Sequence, residues 1–514
     1  MVNPSAAPRR LTRAWLEQAS PLPSPVTHGV LERFPENVVQ FGAGNFLRGF
    51  ADWMLDVLNE AGLFGGHVVA VEEHQPAVVE ALNSQDGLYT LLLRGVRGGQ
   101  VVDQRRIVTA VSRALNPRAA WSELVRCFQS PELRFVVSNT TEAGIALVDE
   151  PLRPGQCPES FPAKVAALLY ERFQAVRGDP ARGLVFLPCE LIDRNGATLR
   201  QYVQCHAERW NLGGDFAAWV TGGNHFLNTL VDRIVPGHPG DETPQLTREL
   251  GYEDALLDTG ELFHLWVIEG PQQLAEELPF HRAGLNVVWT DDLTPYRTRK
   301  VRILNGAHTA TVLAAFHGGL NTVREMVEDP VFGRFVWRSV FDEILPTVPL
   351  DERERTDYAH AVLERFRNPF VRHALLSISL NSVSKWKVRV LPTLLDYVQT
   401  RGTLPSLLSF SLAALIHFYR GERASTTESV GRRDGDCYPI RDEAAVLEFF
   451  AQFSNVDERD RQPRELTATI LAHTPLWGMD LNSVAGLAEL VAANLTTIQQ
   501  VGMRRAVERL LAGR

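Results

Sequence analysis

Three polar residues in the stretch RKVRILNGAHTA, Arg299 to Ala310, have types and spacing suited to chemistry: Lys300, Asn305 and His308. The stretch reads as helix, where each residue turns by about 100°. The three side chains then point to roughly 0°, 140° and 80°, sharing one broad face with apolar Leu304 and Ala307. An amine, an amide and an imidazole turned toward other protein can bind a polar substrate and move a proton on it. A plainer reading stands beside this one. Lys300 can be a helix-entry lysine in water, with Asn305-Gly306 a packing notch. A lysine near a helix N-terminus opposes the helix dipole, which counts against the plainer reading.

A second set lies in VVQFGAGNFLRGF, where Gly42 and Gly44 follow a strand pattern and precede a helical one. A dinucleotide pyrophosphate needs such a tight turn, close backbone approach and a helix N-terminus with free N–H groups. Asn45 and Phe46 open that helix and join the glycines as cofactor-binding candidates. The third fingerprint position is Leu47, a departure from GxGxxG. The alternative is a glycine turn selected only for its dihedral angles. The next strand ends in Glu72-Glu73, near the distance at which an acidic residue accepts hydrogen bonds from the adenosine ribose. Glu72 is the expected contact, and its carboxylate would repel a 2′-phosphate, favouring NAD over NADP. Otherwise both glutamates are solvated loop charges.

These sets need elements to position them. Residues 1–35 read as an N-terminal arm, with a short helix near Leu11–Gln18 followed by SPLPSPV, whose prolines favour extended chain. From residue 36 to 292, strands alternate with helices: NVVQF, HVVAVEE, RFVVSNT and GLVFLPCE are the strands. That alternation predicts a parallel α/β sheet of the Rossmann-like kind. From 293 to 514 the period becomes helical, so a mostly α-helical second domain is expected. The boundary falls in GLNVVWTDDLTPYRTRK, and residues 422–440 read as a polar surface loop. The fold class is therefore α/β followed by helical.

Bulk properties narrow the function. A chain of 514 residues with 45% hydrophobic and 22% charged content is an ordinary globular protein. Its net charge of −9 does not suggest a nucleic-acid partner. The longest apolar stretch, SLLSFSLAALIHF, is broken by serines and shorter than a membrane span requires. The five cysteines are scattered, with no CxxC or HExxH, so neither a disulfide framework nor a common zinc site is indicated. A reducing cytoplasm fits that usage.

GAGNFLRGF, SNTTEAGI, NTLVDRIVP and RKVRILNGAHTA together resemble the polyol-specific long-chain dehydrogenase/reductase family. This family includes mannitol 2-dehydrogenases, fructuronate reductases and tagaturonate reductases. The resemblance runs from about residue 36 to at least 395, and Lys-x4-Asn-x2-His is its most specific element. LNSQDGLYT, NTTEAGI, PCELIDRNG and ILNGAHTA are most similar to the tagaturonate-reducing members. The resemblance implies a Rossmann-like domain, a helical domain and an active site between them, with NAD as cofactor and no metal.

By the same resemblance Lys300 is the general acid/base, Asn305 hydrogen-bonds the reacting oxygen, and His308 orients substrate. Ketone reduction by hydride produces an alkoxide that must be stabilised and protonated. A lysine donates that proton when its pKa falls from ~10.4 toward ~7–8. Desolvation and neighbouring Arg299 and Arg302 are expected to move it that way. Thr141 and Glu142 should lie near the nicotinamide, although Ala143 stands where the family usually has lysine. Asp232 is expected on substrate hydroxyls, or else in a structural pair with Arg233. The run after Pro369 adds Arg372, His373 and Lys385 as substrate-binding candidates, with Lys387 and Arg389 nearby. A run of cations is more often a solvated face.

Polyol-oxidising members carry a second asparagine after a strand, in a Cys-Asp-Asn context. Here PCELIDRNG has Glu190 and Leu191, which leaves Glu190, Asp193 or Asn195 to take another polar role. The expected activity is NAD-dependent interconversion of D-tagaturonate, a sugar acid, and D-altronate. Fructuronate reduction and neutral-polyol oxidation are the nearest alternatives. A non-catalytic NAD-binding regulator on the same scaffold is the alternative of a different class.

Overall fold

The computed structural model describes residues 9–19, 22–140, 144–453 and 463–513. The described residues up to Leu293 form one compact unit and those from Thr294 form another.

The first unit is built on strands β1 (Glu36–Phe41), β2 (His67–Val71), β3 (Val111–Leu115), β4 (Phe135–Ser138), β5 (Val185–Pro188) and β6 (His225–Phe226). They form one six-stranded sheet in the order β6-β5-β4-β1-β2-β3, with every pairing parallel. This is the doubly wound order, and it reverses between β1 and β4, where such folds bind nucleotides. The strands read as unbroken apolar runs because both faces are covered. Val38 of β1 packs into one core with Leu47, Phe50 and Met54. Its neighbour Val39 faces a second core with Leu124, Val165 and Leu199.

Residues 9–35 do not form a free arm. Arg9–Arg10 pairs in parallel with Tyr252–Glu253, and Val26–His28 pairs with part of Gln100–Val108. Leu11 and Leu16 are buried in a small core with Leu250 and Tyr252. Its buried leucines fix the segment to the unit.

The second unit is mostly helical, with one departure from expectation. The stretch read as a loop holds a three-stranded antiparallel sheet of Gly421–Arg423, Glu428–Arg433 and Asp436–Arg441. Its tight turn is Asp434-Gly435, both at positive φ, as a two-residue hairpin turn requires. Among the described residues no helix is long and apolar enough to cross a membrane. All five cysteines are free thiols.

Candidate cofactor and substrate sites

The glycine turn sits at the C-terminal end of β1. Gly42 has φ +105, and a Cβ there would come 2.9 Å from the Asn139 carbonyl oxygen. Packing and backbone conformation therefore account for Gly42. They do not account for Gly44, which has φ −69 and no heavy atom within 4 Å of an added Cβ. Arg48 N–H closes the first helical bond on the Gly44 carbonyl at 3.2 Å. The N–H groups of the first turn, ahead of that bond, are left without helical acceptors. A residue with open space before it and a helix N-terminus behind it is the cradle a pyrophosphate fits.

The turn is held from several sides. Gln40 Nε2 donates to the Gly42 carbonyl at 3.1 Å, and Arg48 donates to the Ala43 carbonyl at 2.8 Å and to Asn45 Oδ1 at 2.7 Å. Phe46 is half-buried and stacks on Phe50 with ring centres 5.0 Å apart. Glu72 is only 7% exposed. Its Oε2 accepts Ala43 N–H at 3.1 Å, and its Oε1 accepts the N–H groups of His74 and Gln75 at 2.9 and 3.2 Å. It is not a solvated loop charge: it ties the glycine turn to the end of β2, and a ribose contact would be additional to bonds already made. Glu73 pairs with Arg118 at 2.6 Å and Lys164 at 2.8 Å.

Thr141 and Glu142 lie outside the described residues. The loop just before them is anchored by Glu190, which accepts Thr140 N–H at 2.9 Å, Thr140 Oγ1 at 3.0 Å and Ser138 Oγ at 3.0 Å. Burial raises the Glu190 pKa above the usual carboxylate value. Asn195 is fully buried, with its amide committed to Pro188, Glu190 and Thr229 carbonyls and its oxygen to Gly196 and Thr229 N–H groups. Leu191 is 62% exposed. Glu190 and Asn195 thus serve the scaffold, and Asp193, the third candidate, is exposed. Asp232 closes the strand Asn228–Asp232 and is buried. The Arg233 guanidinium donates to the carbonyls of Gly49 and Glu261 and lies 4.2 Å from the Trp53 ring centre.

In the second unit the opening helix is not regular. Thr294–Arg299 is α-helical, Lys300–Gly306 is a π-helix, and Ala307–His317 is α-helical again. In a π segment the bonds run from i to i+5 and the turn is wider. Lys300 and Asn305, five apart, therefore come closer around the axis than α-helical spacing allows. Such segments are frequent at functional sites. Both flanking arginines are ion-paired. Arg299 is paired with Glu354 at 2.7 Å and Arg302 with Asp396 at 2.5 Å, so both charges are compensated.

His308 is 8% exposed and stacks on Phe366, ring centres 4.2 Å apart, with the His373 ring 5.4 Å away. Its Nε2 has no hydrogen-bond partner among the described residues. Burial lowers its pKa well below the ordinary value, and the charges of His373, Arg365, Arg389 and Lys385 add to that. Both causes favour the neutral imidazole. The helix Ser382–Arg389 runs against the π segment, since a Cβ on Gly306 would come 3.3 Å from the Arg389 carbonyl oxygen. Lys385 is half-buried and donates to the Ile378 carbonyl at 3.0 Å. Arg372 is exposed, so the His308 neighbourhood takes its positive charge from elsewhere. Arg365 and Arg389 were not among the expected site residues. Arg389 had a sequence signal, since it lies four residues from Lys385 and so on the same helical face.

Residues 36–282 match the family described as mannitol dehydrogenase Rossmann domain, and residues 292–499 match the mannitol dehydrogenase C-terminal domain. The chain belongs to the mannitol dehydrogenase family. Among its relatives is an altronate oxidoreductase of Yersinia enterocolitica, 45% identical over 92% of this chain and 96% of that protein. Another altronate oxidoreductase, from Bacillus subtilis, is 43% identical over 93% of this chain and 95% of its own. The fold is also that of Pseudomonas fluorescens mannitol 2-dehydrogenase, solved with NAD and D-mannitol. The TM-score is 0.66 at 21% identity, covering 98% of this chain and 100% of that one. A D-sorbitol dehydrogenase gives a TM-score of 0.77 at 20% identity, covering 97% and 100%. Family membership makes the chain an oxidoreductase, built from a Rossmann-like unit and a helical unit.

Proposed function

We propose that this member of the mannitol dehydrogenase family is an NAD-dependent altronate oxidoreductase, interconverting D-tagaturonate and D-altronate. The observation that carries this reading is identity above 40% to altronate oxidoreductases along nine-tenths of the chain. The free thiols are consistent with a reducing cytoplasm.

NADH supplies the hydride to the ketone carbon. The open Gly44 and the first helical turn hold its pyrophosphate, with the Glu72-braced turn fixed in advance. The residues of the helical unit handle the substrate oxygen. Lys300 donates the proton as the alkoxide forms and takes it back in the oxidation direction. The Asn305 amide, which makes no side-chain hydrogen bond among the described residues, donates to the same oxygen. Neutral His308 offers Nε2 to a substrate hydroxyl, and Asp232 is assigned to another. Thr141 and Glu142 are assigned to the nicotinamide side.

The test is NADH oxidation by the full-length protein with D-tagaturonate, D-fructuronate and D-fructose. D-Tagaturonate is expected to give kcat/KM at least ~10²-fold above the other two, a gap of about 2.7 kcal/mol. Equal or better turnover of D-fructuronate or D-fructose would replace the reading with fructuronate reduction or polyol oxidation. NADH binding without turnover of any of the three would leave a non-catalytic binding protein.

A further inference from the structure

Lys385 and Arg389 stand four residues apart on the helix Ser382–Arg389, on one face. Like charges at this spacing repel on a helix, and burial strengthens the repulsion. Both side chains are half-buried. Arg389 makes no ion pair or hydrogen bond among the described residues, and no acid offsets the lowering of its pKa by burial. Lys385 donates only to a backbone carbonyl, and burial followed by Arg389 lowers its pKa. Asp442 acts on Lys385 in the opposite sense, but its carboxylate already accepts from the Tyr419 hydroxyl and from Glu443 N–H. His308 and His373, facing the same cations, are themselves shifted toward the neutral form. Arg389 is placed against Gly306, the residue after Asn305.

A half-buried guanidinium and ammonium without an acid between them form a site that an anion completes. We propose that Arg389, with Lys385, is the receptor for the substrate's carboxylate and so determines the preference for a sugar acid over a neutral sugar. The planar guanidinium suits bidentate contact with a carboxylate, which the ammonium alone cannot make. The inference rests on the sugar-acid reading above and adds the residue that enforces it. Arg372, another of the substrate-binding candidates, is exposed.

Calorimetry on the full-length protein with bound NAD provides the test, using the acid–alcohol pairs D-altronate and D-altritol, and D-mannonate and mannitol. Wild type should bind at least one acid ~10-fold or more tightly than its alcohol. Arg389→Met should bring that ratio near one, with the alcohol's affinity unchanged, and Arg389→Lys should recover part of it. In turnover, Arg389→Met should raise KM for D-tagaturonate ~10-fold or more while kcat stays within ~3-fold. The ligand-free melting temperature of Arg389→Met should equal or exceed that of wild type, since a repelling cation is removed. No acid preference in wild type, an unchanged ratio in Arg389→Met, or a lowered melting temperature with restored stability in Arg389→Lys would overturn the inference. Failure of wild type to turn over D-tagaturonate while an acid preference persists would instead overturn the substrate assignment and leave the carboxylate receptor standing.

Discussion

Glu72 decides between two roles for the acidic residue that ends β2. If it acts on the cofactor alone, its removal should change nothing in the ligand-free protein. The structure gives it a heavier duty, because its oxygens accept N–H groups from Ala43, His74 and Gln75. Ala43 is fully buried, so in Glu72→Ala its N–H is left unsatisfied at about 1–3 kcal/mol. His74 and Gln75 are exposed and can turn to water, losing about 0.5–1.5 kcal/mol each at most. The total is about 2–6 kcal/mol. At roughly 2–4 °C per kcal/mol for a unit of this size, the ligand-free melting temperature should fall by roughly 4–24 °C. Glu72→Gln keeps one acceptor oxygen and should lose about half as much. The assay is thermal unfolding of the ligand-free protein, followed by NADH and NADPH titration of each variant at a temperature where it is folded. An unchanged melting temperature in Glu72→Ala, together with a raised NADPH-to-NADH affinity ratio, would refute the bracing argument and return Glu72 to the ribose.

Other consequences can be checked directly. Lys300→Met should lower kcat for D-tagaturonate by at least ~10² with NADH affinity retained, as steady-state rates and fluorescence titration will show. Asn305→Ala should lower kcat by roughly 10²–10³, the loss expected when one donor to a developing oxyanion is removed. Gly44→Ala should leave the melting temperature unchanged, because a Cβ meets nothing there, yet weaken NADH binding ~10-fold or more as measured by titration; Gly42→Ala should destabilise the protein outright. His308 is buried and His317 and His417 are half-buried, and desolvation lowers the pKa of all three, His317 to about 3 and His417 to about 4, whereas the unfolded chain titrates near ~6.5. Below pH ~6.5 the unfolded state binds more protons, so each histidine removes about 1.4 kcal/mol of stability per pH unit, and urea unfolding between pH 7.5 and 5.5 should show His417→Gln flattening that slope.

Much of the first unit was legible because its signals are local. β1, β2, β4 and β5 are apolar runs buried on both faces, and such runs stand out in any reading by hydropathy. The glycine turn was legible for the same reason, being two glycines between a strand and a helix. What Glu72 does was not, since its partners Ala43, His74 and Gln75 are fixed by how β1 and β2 lie side by side. The sheet at 421–441 was misread as a loop because its strands are mostly polar, although Asp434-Gly435 is a hairpin-turn pair. The docking of residues 9–35 depends on Tyr252 and Leu250, more than two hundred residues along the chain, and no local pattern announces it. In the helical unit the Lys-x4-Asn-x2-His spacing was visible at once. Its geometry was misjudged, because α-helical periodicity was applied where the backbone is a π-helix.

That π segment and the cations beside it point to one property of the helical unit. A π-helix persists only when tertiary packing holds it, because its hydrogen bonds offer no gain over an α-helix. Here Ile303, Leu304 and Gly306 are buried, and the helix carrying Lys385 and Arg389 closes against Gly306. The helix in that contact also carries two half-buried cations whose charges act on His308. Neither feature stabilises the ligand-free protein, and each opposes a simpler alternative: a regular helix in one case, a compensating acid in the other. Both become favourable once an anionic, hydroxylated ligand accepts from the cations and from Asn305. The longest π segment among the described residues is thus the place where the proposed substrate would be held.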